Sequence, residues 1–76
     1  MPSRAVYEVA PRGSEWTVKK RGLERPLHVE TTKAVAVEKG VEVARKHAPS
    51  QLLIKRADGT IEDERTYGND PYPPAG

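Results

Sequence analysis

From Thr31 to Ala48, the residues Ala34, Val37, Val41, Ala44 and Ala48 recur at alternating three- and four-residue spacing, the signature of one apolar stripe along a helix. No other segment of the 76-residue chain carries that period convincingly. Either Thr31 or Thr32 can cap the helix start by accepting from a backbone N–H of the first turn. Arg45, Lys46 and His47 suit the negative end of its dipole, and Pro49 ends it. Glu42 opposes Glu38 one turn before it and attracts Lys46 one turn after it. Gly40 in the middle costs about 1 kcal/mol relative to Ala, a cost that a close approach of the helix to a sheet would offset, with Trp16 as the expected neighbour. One helix covers one face of a sheet, so the other face must meet water, a partner or a second copy of the chain.

The segments on either side alternate at period two. From Arg4 to Ala10, Tyr7 and Val9 fall on one side and Val6, Glu8 and Ala10 on the other. Pro11-Arg12-Gly13-Ser14 reads as a turn, and Glu15 to Arg21 as a second strand in which Trp16 and Val18 alternate with Thr17 and Lys19. Gly22 ends that strand. Pro26 is tolerable at the start of a third, where Leu27 and Val29 alternate with His28 and Glu30. After the helix, Gln51 to Arg56 places Leu52 and Ile54 opposite Leu53 and Lys55. Asp58-Gly59 then predicts a two-residue type I′ hairpin, and Thr60 to Arg65 closes it with Ile61 as the one expected buried side chain. The expected architecture is α+β and two-layered: an antiparallel sheet of four to five strands with one helix on one face, in the order β-β-β-α-β-β. The domain is expected over residues 1–66, followed by a Pro/Gly-rich C-terminal tail over residues 67–76.

Composition removes several function classes. The chain has no cysteine, so neither a disulfide nor a thiolate nucleophile is available. Its apolar runs, such as Leu52 to Ile54, are only a few residues long, far from the roughly 20 residues of a transmembrane helix, so a cytoplasmic location with no membrane partner is expected. His28 and His47 are the only histidines, too few for a zinc site, so no metal and no cofactor are expected. Glu62, Asp63, Glu64 and Asp70 are the candidates for acid–base chemistry. A row of carboxylates on a strand also blunts edge-to-edge pairing, and with no Ser-His-Asp set or phosphate-binding glycine loop the expectation is a protein that is not an enzyme.

The net charge of +2 is unevenly spread. Through Arg56 there are twelve Lys and Arg against six Glu, a balance of +6, and beyond it Arg65 stands against Asp58, Glu62, Asp63, Glu64 and Asp70, a balance of −4. A basic body can attract a phosphate backbone by releasing counterions. With Trp16 in the core, Lys19 and Arg21 fall on the open sheet face and Lys55 joins them, while Arg12, Lys20 and Arg25 sit at nearby hairpin ends. These six residues are the expected contacts to DNA or RNA. Tyr7 is the one aromatic residue expected on that face. A protein-interaction or self-association module is the alternative expectation, with Leu53 exposed on the open face and Tyr67 and Tyr72 in the tail as its contacts.

Three segments carry a resemblance: Trp16-Thr17-Val18-Lys19, the hairpin Asp58-Gly59-Thr60-Ile61, and the ending Tyr67-Gly68-Asn69-Asp70-Pro71-Tyr72-Pro73-Pro74. Together they resemble a family of small bacterial and phage proteins known only as a domain of unknown function. The resemblance spans nearly the whole chain and implies a compact prokaryotic or phage domain, with no catalytic residue or cofactor attached to it. The helix departs mildly from that family, with valines and Gly40 where such helices run richer in Ala and Glu.

Overall fold

A computed structural model of the chain describes residues 5–68. The elements are β1 (Ala5–Arg12), β2 (Glu15–Lys20), β3 (His28–Glu30), α1 (Lys33–Lys46), β4 (Ser50–Lys55) and β5 (Ile61–Tyr67). They form one five-stranded sheet in the order β3-β2-β1-β4-β5, with α1 lying over β1, β2, β3 and β4. The α+β, one-helix, two-layer arrangement expected from the sequence is the one observed.

The sheet is not antiparallel throughout. β1 and β2, β2 and β3, and β4 and β5 pair antiparallel, but β1 and β4 pair parallel, with Tyr7 opposite Leu52 and Val9 opposite Ile54. The cause is the helical crossover. Two reversals leave β3 running in the direction of β1, α1 carries the chain back, and β4 must then start again in that same direction beside β1. The sheet is therefore mixed, with one parallel seam between two antiparallel pieces.

Turn chemistry sets both hairpins. Gly13, at φ 62°, and Ser14 link Arg12 to Glu15 in a two-residue loop. The second hairpin sits where Asp58-Gly59 predicts it, but its loop is three residues long rather than two. Gly59 N–H donates to Arg56 O, Arg56 N–H donates to Thr60 O, and Gly59 takes φ 92°. Asp58 accepts from both the backbone N–H and the hydroxyl of Thr60. These bonds hold the Asp58 carboxyl below its ordinary range and fix a turn that one left-handed glycine can complete alone.

The helix begins and ends close to expectation. Thr32 caps it by accepting from Val35 N–H at 3.3 Å, and His47 N–H returns to Val43 O. Its buried stripe is rotated from the expected one. Ala36, Gly40 and Ala44 face the sheet, Val37 and Val41 are half-buried, and Ala34 is exposed. Gly40 explains the rotation. A β-carbon there would lie 2.9 Å from Val9 Cγ2 and 3.1 Å from Leu52 Cδ1, so the helix touches the sheet where it has no side chain, above β1 and β4 rather than under Trp16. The buried Ser50 hydroxyl donates to Ala44 O and ties the end of α1 to the start of β4.

The core lies between α1 and the sheet and consists of Tyr7, Val9, Val18, Ala36, Ala44, Leu52 and Ile54, flanked by Trp16, Val37, Val41 and Tyr67. Tyr7 is therefore not on the open face. It shares the helix side with Val9, as period two requires once Val9 is buried, and its ring lies 6.2 Å from that of His47. Ile61, expected to be buried, is exposed because the irregularity between Ile54 and Lys55 sets it opposite Lys55, on the open face of an edge strand. Among the described residues no helix is long and apolar enough to cross a membrane.

Candidate functional site

The face of the sheet away from α1 is built by the alternate residues of each strand. Across its middle, Lys19, Glu8, Leu53 and Glu64 stand in register on β2, β1, β4 and β5. A second row toward the β1–β2 turn sets Ala10 beside Thr17 and Thr17 beside Val29. Lys19, Arg21 and Lys55 are all on this face, as expected. They surround a carboxylate. Arg21 donates from Nε and Nη2 to Glu8 Oε2 at 3.1 and 2.9 Å, and Lys55 Nζ lies 3.4 Å from Glu8 Oε1.

This triad changes the electrostatics of the face. Partial burial pushes the Glu8 carboxyl upward, but the hydrogen bonds and charges of Arg21 and Lys55 outweigh it and hold the group below its usual range. Glu8 is therefore ionised at neutral pH and neutralises part of the expected basic patch. Period two already placed Glu8 opposite Tyr7 and Val9, so the signal was in the sequence. What the alternation lacked was the pairing that brings β1 between β2 and β4.

The remaining expected contacts separate. Lys20 pairs with Tyr7 in register and so lies on the helix side, away from Lys19. Arg25 is exposed in the segment between β2 and β3. Arg12 and Lys19 meet at a cleft of about 240 Å³ lined also by Pro11, Thr17, Glu24 and Pro26. There the β2–β3 segment stands over the sheet and buries Thr17, whose hydroxyl donates to Ala10 O at 3.4 Å. Neither Arg12 nor Lys19 forms an ion pair among the described residues.

Leu53 is on the open face but is not exposed. Only 6% of it is accessible, on an interior strand where Glu8 and Glu64 flank it in register. Tyr67 is half-buried at the end of β5 opposite Ser50, and Tyr72 lies outside the described residues, as does Asp70. The apolar surface is elsewhere. Leu23, Leu27 and Val29 are 47%, 42% and 46% accessible, all in the segment running into β3. Alternation sets Leu27 and Val29 on one face of a strand, but nothing local says that β3 is an edge. Among the described residues no three His, Cys, Asp or Glu side chains gather as metal ligands.

Comparison with known proteins gives a family and no more. Residues 7–67 match the family DUF2188, described as an uncharacterised protein conserved in bacteria. No curated protein and no solved structure matches the chain.

Proposed function

The chain belongs to DUF2188, a family of uncharacterised proteins conserved in bacteria, and on that premise we propose that it is a small binding module, not an enzyme, whose partner is a protein. The observation that carries this reading is that Leu23, Leu27 and Val29 are each exposed within the segment that leads into and forms the edge strand β3, in a sheet with one uncovered face. Apolar surface concentrated in one short exposed segment is favourable to cover, and exposed apolar patches mark interaction sites. The internal neutralisation of Arg21 and Lys55 by Glu8 supports a protein partner over a phosphate backbone. A cytoplasmic location goes with this reading. The test is a pull-down with the wild-type chain and with a Leu27→Ser, Val29→Ser variant. A specific protein retained by the first and lost by the second is expected. Identical retention by both would overturn the proposal.

A second reading, weak binding of DNA or RNA, draws on Arg12 and Lys19, which flank the Thr17 cleft without ion-pair partners among the described residues. Phosphate contacts would come from these two, with Arg25 exposed in the neighbouring β2–β3 segment. Retardation of DNA that falls steeply with added salt is its signature, and no retardation at about 50 mM salt with excess protein rejects it.

A further inference from the structure

We propose that two copies of the chain join through their β3 strands, antiparallel about a two-fold axis at Val29, to make one continuous ten-stranded sheet. This rests on the reading of the β3 side as an interaction surface and names its occupant as a second copy. β3 is the last strand of the sheet, so its outer backbone N–H and C=O groups face no strand among the described residues. Its sequence is complementary to itself in this one arrangement. Pairing about Val29 sets His28 across from Glu30 of the second copy, and Glu30 across from its His28. Imidazole donates to carboxylate twice, and the two exposed Val29 side chains meet on the axis.

The same operation brings Leu27 and Leu23 of both copies toward the joint, covering the apolar surface that the monomer leaves in water. An axis perpendicular to the sheet preserves its faces, so both helices stay on one side and both open faces merge on the other. The opposite edge matches itself less well. Pairing β5 with itself about Glu64 sets Asp63 across from Arg65 of the second copy but opposes two carboxylates on the axis, and pairing about Asp63 opposes two carboxylates on the axis and sets Glu62 across from Glu64.

The test is sedimentation of the full chain from micromolar to millimolar concentration, repeated with three variants. The wild-type chain is expected to dimerise. His28→Glu, which faces Glu30 with a like charge twice, and Val29→Glu, which places two carboxylates on the axis, are expected to weaken association roughly tenfold or more. Val29 is exposed, so its variant folds whether or not the dimer forms. Combining His28→Glu with Glu30→His restores the complementarity in reversed order and is expected to restore the dimer. A wild-type chain that stays monomeric at millimolar concentration overturns the proposal, as does a dimer indifferent to Val29→Glu or to the exchange. If that monomer still retains another protein through Leu27 and Val29, the binding-module reading stands and only the identity of the occupant falls.

Discussion

The two edges of the sheet solve the same problem differently. β5 is seven residues long, lies outside the cover of the helix, and exposes six of its seven residues. It is guarded by charge: Glu62, Asp63 and Glu64 with Arg65, of which Glu62 pairs with Lys33 and Asp63 with Arg65. β3 is three residues long, sits under α1 and is bordered by exposed leucine and valine. A charged edge repels another strand along its whole length, while a short edge only limits how much pairing is on offer. The difference teaches where to look for a partner: at β3, where nothing repels one.

The largest perturbation removes both edges at once. Leu52 is fully buried between the seam and the helix, and Leu52→Ala is expected to cost about 2–5 kcal/mol. Denaturant unfolding followed by Trp16 fluorescence and by circular dichroism should give one coincident transition at a lower midpoint. Separate transitions would show that the edges are independently stable and would break the comparison.

A smaller change separates the edges. Gly40→Ala gains about 1 kcal/mol in helix propensity, but its new methyl meets the stiff branched side chain of Val9 at 2.9 Å. Overpacking of that kind costs about 1–3 kcal/mol, so a net loss is expected. Lifting the helix should loosen β3, which it covers, more than β5, which it does not. Amide exchange should therefore rise at His28–Glu30 before it rises at Ile61–Tyr67, and equal acceleration would contradict the account. Thr32→Ala, by removing the cap, is expected to cost about 1 kcal/mol with the same bias toward β3.

The smallest effect concerns Glu8, which ties Arg21 at the β3 side of the open face to Lys55 on β4. Its folded carboxyl titrates below its unfolded value, so its contribution is present above the ordinary carboxylate range and is lost as pH falls through the lower folded value. Glu8→Gln is expected to cost less than about 1 kcal/mol at neutral pH, because Arg21 is well exposed. It should also flatten the acid limb of a stability–pH profile. The same variant releases two cations on the open face, so a rise in DNA retardation would favour the nucleic-acid reading and no change would weaken it.

Element types and their order were legible in the sequence because they rest on local periodicity, and Asp58-Gly59 marked its turn because that chemistry is local too. What was not legible depends on neighbours distant in the chain. Ala34, Val35, Ala36 and Val37 allow more than one apolar stripe, and only the closeness of Val9 and Leu52 to Gly40 selects the one that is buried. Alternation grouped Tyr7 with Val9 but could not say which side the helix covers. Leu53 and Ile61 exchange their expected burial because β4 is interior, while β5 is an edge whose irregular register turns Ile61 to the open face. For the candidate site, Lys19, Arg21 and Lys55 were placed on the correct face. The neutralisation of Arg21 and Lys55 by Glu8 needs β1 to lie between β2 and β4, and the β1–β4 pairing joins segments on either side of the helix.

That pairing also bears on how the chain assembles. The β1–β2–β3 meander and the β4–β5 hairpin each close over short loops, whereas the parallel contact of Val9 with Ile54 must span the helix and everything before it. Non-local closure is the slow event in small domains. Preformed halves waiting for their zipper to shut would leave Val9 and Ile54 unconsolidated at the folding barrier, so that Ile54→Val speeds unfolding while leaving the refolding rate nearly unchanged.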